Sequence, residues 1–126
     1  MGDAVFSRVG EFTPASHAQY CAVPAVQVTR IRKNITMRQA AALSVCALTA
    51  WQGLTKTAGL KQGDKVFIAA GSGGVGSFAV QVAKIMGAKE IWCTGSKVDL
   101  ITGLGATKAI NYKDENVVDA LAGQEF

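Results

Sequence analysis

The sequence is poor in the residues from which metal centres and disulfide frameworks are built. It has a single histidine, His17, and three cysteines that lie far apart in the chain, Cys21, Cys46 and Cys93. Zinc sites need clustered cysteine and histidine ligands, and small disulfide scaffolds need cysteines in pairs. The sequence therefore predicts no zinc site and a reducing compartment, and we expect a cytoplasmic protein.

Long apolar runs, aromatic residues and clustered charges are also scarce. No apolar run is long enough to cross a membrane, and only 7% of the residues are aromatic, which disfavours a stacking platform for single-stranded nucleic acid. The net charge is +4, but the basic residues are scattered, and their densest cluster is Arg30, Arg32, Lys33 and Arg38. A nucleic-acid site along this cluster is the weakest alternative. We expect neither a membrane nor a nucleic acid as partner.

Strand-like and helix-like segments alternate along the chain. Residues 1–35 hold short β-like runs broken by Gly10, Pro14 and Pro24. The capping-box spacing of Thr36 and Gln39 then predicts a long helix over 37–57, with Trp51 in the core. From residue 65 onward the pattern is βαβαβα, with strands in KVFIAA, KEIWCTG and KAINY. This order predicts the α/β class, with a doubly wound parallel sheet.

Two local patterns add detail to the helices of this second part. The helix after KVFIAA repeats large apolar residues at helical spacing, which places them on one face: Phe78, Val82, Ile85 and Met86. Ser96 and Asp99 have capping-box spacing and predict the start of the next helix.

Three glycines follow the strand KVFIAA and open the next helix. Gly71, Gly73 and Gly76 have the spacing GxGxxG, and this strand–turn–helix context is typical of a dinucleotide-binding turn. Gly71 is predicted to allow the sharp turn, Gly73 the approach of a pyrophosphate, and Gly76 close helix–strand packing. The predicted phosphate cradle at the helix N-terminus is Gly71, Ser72, Gly73, Gly74, Val75 and Gly76. The alternative is a purely structural glycine loop.

The end of the second strand indicates which coenzyme is bound. A site for NAD usually places an acidic residue there to accept from the ribose 2′-hydroxyl, whereas this chain has Thr94, Gly95, Ser96 and Lys97. A carboxylate would repel a 2′-phosphate, but a hydroxyl and an ammonium group would bind one. We therefore predict NADPH as the coenzyme. The alternatives are that Ser96 only caps the helix and Lys97 is solvated, or that Asp99 is a displaced ribose ligand.

Together these segments resemble the zinc-independent quinone oxidoreductases of the medium-chain dehydrogenase/reductase, or zinc-type alcohol dehydrogenase-like, family. The resemblance rests on AAALSVCALTAWQGL, AGLKQGDKVFIAAGSGGVGSFAVQVAKIMGA and LGATKAINYKDE, and GDAVF resembles a strand of the family's GroES-like catalytic domain. Members join that domain to a Rossmann domain and use NADPH to reduce quinones or activated alkenes. The resemblance implies that residues 1–35 are a remnant of the GroES-like domain and 36–126 the first half of the Rossmann domain.

The resemblance also implies roles for individual residues. Ala70, with Gly73 and Gly76, matches the family's AxxGxxG form of the cradle. Lys97 and Tyr112 match residues that hold the adenosine 2′-phosphate. Thr49 matches a residue near the nicotinamide, with helix packing as the alternative. No residue is assigned to catalysis, because hydride transfer is carried out by the coenzyme.

Members of the family begin before GDAVF and continue beyond residue 126, so the resemblance implies a chain that is incomplete at both ends. We therefore expect this chain alone to bind the adenosine and pyrophosphate end of the coenzyme weakly and not to catalyse the reaction. The strand KVFIAA would become an open sheet edge, which can pair with another strand. The alternative function is a catalytically inactive, truncated Rossmann module that binds nucleotide or a protein partner, a second copy in a homodimer included.

Overall fold

The computed structural model describes residues 2–9 and 16–126. It divides the chain into two compact units, Met1–Val45 and Cys46–Phe126. Gly10 and Pro14, two of the predicted breaks between strands, lie outside the described residues. Within the described ranges, no helix has the length and apolar character needed to cross a membrane.

The first unit contains a small antiparallel sheet, a short 3-10 helix (Ala25–Gln27) and an α-helix. Strand β1 (Val5–Ser7) pairs with β2 (Val28–Arg30). Helix α1 (Met37–Ala42) begins with the predicted capping box, in which the Thr36 hydroxyl accepts from the Gln39 N–H at 3.2 Å. The Gln39 side-chain oxygen in turn accepts from the Thr36 N–H at 2.9 Å, so two N–H groups of the helix N-terminus are satisfied.

The predicted long helix over 37–57 is confirmed, but it is not uniform. Two π-helical segments, Leu43–Ala47 and Gly53–Thr57, flank the short α2 (Leu48–Gln52). Gly59 follows the helical stretch with φ +64°, the left-handed conformation that glycine adopts without strain. The prediction that Trp51 lies in the core is wrong, since its side chain is 48% exposed. Ala50 and Leu54, four residues apart, form the buried side instead.

The second unit contains a three-stranded parallel sheet in the order β3 (Lys65–Ile68), β4 (Glu90–Thr94) and β5 (Lys108–Ile110). Helices α3 (Gly74–Ile85) and α4 (Val98–Leu104) follow β3 and β4, and α5 (Val117–Leu121) follows β5. The predicted βαβαβα order and α/β class are confirmed. Strand β3, in KVFIAA, lies at one edge of this sheet.

The core of the second unit lies between the sheet and α3 and α4. Its side chains include Ile68, Ile91 and Cys93 of the sheet, Val80 and Ala83 of α3, and Ile101 of α4. Of the four apolar residues expected to share one face of α3, Phe78, Val82 and Met86 pack against the core, but Ile85 is 80% exposed. The fully buried stripe consists of small residues, Gly76, Ala79, Val80 and Ala83, which let α3 approach the sheet closely.

Candidate functional site

The chain reverses direction between β3 and α3 in a turn whose strained residue is an alanine. Ala70 has φ +54°, and among residues 2–9 and 16–126 it is the one non-glycine residue with positive φ. Its carbonyl accepts the Gly73 N–H at 2.9 Å, which closes the turn. The sharp reversal that the sequence assigned to Gly71 therefore takes place at Ala70, because the left-handed conformation falls there and not on a glycine.

Each glycine of the motif is needed for close contact. A Cβ atom on Gly76 would overlap the Ala70 carbonyl oxygen and lie 2.9 Å from the Gly71 Cα. A Cβ on Gly71 would lie 2.8 Å from the Cβ of Cys93 in β4. A Cβ on Gly73 would lie 3.2 Å from the Ala70 carbonyl oxygen. Gly76 therefore allows close packing of α3 as predicted, although its contact is with the turn at Ala70 and Gly71 and not with the strand itself. Gly71 allows the turn to pack on β4.

Helix α3 starts directly from this turn and presents its N-terminus to solvent. Gly73 is the N-cap residue, and Gly73, Gly74 and Val75 are exposed. The N–H groups in the first turn of an α-helix have no partners within the helix, and the helix dipole places partial positive charge there. The arrangement is suited to bind an anionic group such as a phosphate. Ser72 lies beside it, partly buried.

The segment after β4 lies at the same end of the sheet as the glycine turn, because the carboxyl ends of parallel strands all lie at one end of the sheet. Thr94 is 9% exposed, and its hydroxyl accepts the Ala70 N–H at 3.0 Å, so this hydroxyl faces the turn. A Cβ on Gly95 would lie 3.0 Å from the Ser72 hydroxyl oxygen, so Gly95 lets the two segments meet.

The predicted capping box at Ser96 and Asp99 is wrong. Lys97 is the N-cap residue of α4, and within the described part of the chain no side chain caps this helix. The helix begins one residue later than the sequence pattern suggested, which leaves Ser96 outside it and partly buried. Lys97 and Asp99 are both exposed, and Asp99 lies in the first turn of α4, where the helix dipole favours a carboxylate.

Tyr112 follows β5, the strand next to β4. Its side chain is 55% exposed and lies in a turn that Asn111 holds through its side-chain bonds to Asp114 and to the Lys113 N–H. Lys97 and Tyr112 thus follow two neighbouring parallel strands at one end of the sheet. Thr49 is exposed on α2, which packs against α3.

The second unit also has a cleft of about 620 Å³, which lies away from the glycine turn. It extends along β3 and includes residues before the strand and at the end of the chain: Ala58, Leu60, Asp64, Lys65, Val66, Phe67, Glu125 and Phe126. None of these residues belongs to the glycine turn or to the segments after β4 and β5.

Cys93 lies against the turn at Gly71, and its thiol is buried. It is fully buried, and burial raises the pKa of its thiol to about 11. Because the thiolate is the reactive form, a thiol with so high a pKa reacts slowly at neutral pH. Cys21, in contrast, is exposed.

We expect iodoacetamide at pH 8 to modify the exposed Cys21 at least about 100-fold faster than Cys93, since the rise of the Cys93 pKa from 9.0 to about 11 lowers its own thiolate fraction about 100-fold and burial also restricts access. Peptide mass spectrometry at a series of times measures both rates. In urea the two rates should become similar, because unfolding exposes Cys93. Equal rates in the native chain would contradict a buried, protected Cys93.

Comparisons with known proteins show which proteins this chain is similar to. No protein-family model matches the sequence. The chain is 41% identical over 107 residues to a 2-methylene-furan-3-one reductase of Solanum lycopersicum, covering 82% of this chain and 27% of the relative. The quinone oxidoreductase of Coxiella burnetii superimposes with a TM-score of 0.90 at 35% identity, covering 97% of this chain and 39% of that one.

A third similar protein is known in a complex with a coenzyme. The Escherichia coli quinone oxidoreductase complexed with NADPH superimposes with a TM-score of 0.70 at 33% identity, covering 75% of this chain and 30% of that one. The chain spans between 27% and 39% of the length of these three proteins. It belongs to the quinone oxidoreductase branch of the zinc-type alcohol dehydrogenase-like, medium-chain dehydrogenase/reductase family.

Proposed function

We propose that this chain forms the part of an NADPH-dependent quinone or enone reductase that binds the adenosine and pyrophosphate end of the coenzyme. The observation that carries the proposal is the exposed N-terminus of α3, reached through a glycine turn in which Gly71 and Gly76 leave no room for side chains. A diphosphate is the ligand whose charge and size suit such a helix end in a strand–turn–helix unit.

The residues after β4 and β5 favour NADPH over NADH. The segment Gly95–Ser96–Lys97 has no carboxylate that would accept from a ribose 2′-hydroxyl, and Lys97 offers a solvent-exposed ammonium group. Tyr112 adds a phenol hydroxyl after the neighbouring strand. A 2′-phosphate between them would gain charge-assisted hydrogen bonds.

The reaction class follows from the relatives and from the coenzyme. The reduced nicotinamide, when bound, supplies a hydride to an electron-poor substrate. The reductases and quinone oxidoreductases among the relatives make a quinone or an activated alkene the proposed substrate class. The contribution of this chain is to orient the coenzyme through its phosphates, and we expect Thr49 on α2 to lie towards the nicotinamide. A cytoplasmic location stays a prediction.

Calorimetric titration of the chain with NADPH and NADH tests the coenzyme assignment. We expect NADPH to bind more tightly, and Lys97→Ala to weaken NADPH binding about tenfold while leaving NADH binding unchanged, because the lost ammonium group contacts only the 2′-phosphate. Lys89→Ala is the matched control. Lys89 is also exposed but precedes β4, so it lies at the opposite end of the sheet.

Two results would overturn the proposal: equal affinity for both coenzymes that Lys97→Ala does not alter, or no binding of either coenzyme. If binding is absent and the chain elutes as a dimer from a size-exclusion column, the protein-interaction function becomes the better proposal. The position of β3 at the edge of its sheet favours that second candidate.

A further inference from the structure

The conformation of the glycine turn depends on Thr94, a residue of β4 that lies outside the GxGxxG motif. Ala70 adopts a left-handed conformation that an alanine does not favour, so neighbouring groups must hold it there. Its N–H donates to the Thr94 hydroxyl at 3.0 Å, and the next N–H, that of Gly71, donates to the Thr94 carbonyl at 2.7 Å. Two successive N–H groups of the turn are therefore satisfied by one residue of β4.

The Ala70 carbonyl links this pair of hydrogen bonds to the start of α3. It accepts the Gly73 N–H at 2.9 Å, and it occupies the space that a side chain on Gly76 would need. Rotation of the Ala70 backbone would move this oxygen, and with it the N-cap residue Gly73. The direction of the first N–H groups of α3 thus depends on the conformation of Ala70.

We propose that Thr94 is a positioning residue, whose buried hydroxyl holds Ala70 in its left-handed conformation and so orients the N–H groups of α3 towards a diphosphate. The proposal rests on the proposed coenzyme function for its ligand but not for its geometry. Thr94 is 9% exposed and its hydroxyl is bonded to the Ala70 N–H, so its effect on a bound diphosphate would be exerted through the turn.

Thr94→Val tests this role, because valine has nearly the shape of threonine but cannot accept the Ala70 N–H. Thr107→Val is the matched control. Like the Thr94 hydroxyl, the Thr107 hydroxyl accepts a backbone N–H, in this case that of Ile91 in β4 at 2.9 Å. This hydrogen bond lies near the other end of β4, away from the glycine turn. Thr94→Ser keeps the accepting oxygen and should restore the wild-type behaviour.

Two readouts separate positioning from general stability. In Thr94→Val we expect amide hydrogen exchange at Ala70 to quicken about tenfold relative to Thr107→Val, since the Ala70 N–H loses its acceptor. We also expect NADPH to bind about tenfold more weakly than to Thr107→Val, while Thr94→Ser stays within about twofold of wild type on both readouts.

Equal exchange at Ala70 in Thr94→Val and Thr107→Val would overturn the proposal, as would unchanged NADPH affinity in Thr94→Val. If wild type binds no NADPH, the proposed function fails, but the exchange comparison still decides the role of Thr94. Should Thr94→Val fail to fold, Ala70→Gly in the same chain provides the second test. Glycine adopts the left-handed conformation unaided, so this change should restore folding if Thr94 acts through Ala70.

Discussion

Among the glycines in the described part of the chain, Gly76 is the one whose replacement by alanine should destabilise the fold most. The new Cβ would overlap the Ala70 carbonyl oxygen and lie 2.8 Å from the Ala70 carbonyl carbon. Both are backbone atoms, so neither can rotate away as a side chain would. Relief of the clash requires α3 to move away from the turn, and the free energy of unfolding should fall by about 3 kcal/mol or more. Urea denaturation followed by circular dichroism measures the change.

Gly103→Ala is the matched control for this substitution. Gly103 lies in α4, and nothing lies within 4 Å of the position that its Cβ would take. Alanine is a better helix former than glycine, so Gly103→Ala should stabilise the chain by up to about 1 kcal/mol. A Gly76→Ala variant as stable as wild type would show that the turn and α3 are not in close contact. NADPH binding should be lost in Gly76→Ala and kept in Gly103→Ala.

The second large effect is expected at Ile101, whose side chain is fully buried in α4. Its Cδ1 atom lies 3.5 Å from the position of a Cβ on Gly71 and 2.5 Å from that of a Cβ on Gly95. Ile101 therefore fills the space beneath both the glycine turn and the segment after β4. Ile101→Ala removes three carbon atoms there, and the free energy of unfolding should fall by about 3 kcal/mol because a cavity remains.

Ile85→Ala is the control, since it makes the same chemical change in a helix at a side chain that is 80% exposed. Its effect should stay within about 0.5 kcal/mol of wild type. Urea midpoints of the two variants, measured side by side, give the comparison. Similar losses in both would mean that Ile101 is not packed in the core. We also expect Ile101→Ala, but not Ile85→Ala, to weaken NADPH binding, because the turn loses its support.

Much of the fold could be predicted because it depends on local patterns. The capping box at Thr36 and Gln39 is contained within four residues, and its two hydrogen bonds form as predicted. The alternation of apolar strands with helical segments likewise fixed the order of elements after residue 65. In α3 the spacing alone does not decide which residues are buried, because large apolar residues and small residues both repeat at helical spacing. The small residues are buried, and Gly76 among them lets the start of α3 lie close to the turn at Ala70 and Gly71.

In the candidate site too, features contained in local patterns could be predicted, and features that depend on distant contacts could not. The glycine spacing located the turn, and the composition after β4 revealed that no acidic residue stands there. The sequence could not show that the Thr94 hydroxyl faces Ala70, because threonine at a strand end can point to solvent or inward. Nor could it show that α4 begins after Lys97, because the spacing of Ser96 and Asp99 satisfies the capping pattern as well.

The sequence by itself located the glycine turn that we propose binds a diphosphate and showed that residues 94–97 include no carboxylate, since both follow from residue types at fixed spacing. The tertiary structure decided which residue of the turn is left-handed and what holds it there. The hydrogen bond between the Ala70 N–H and the Thr94 hydroxyl joins residues 24 positions apart. Such a contact arises only when the parallel pairing of β3 and β4 brings their carboxyl ends together, so no local pattern contains it.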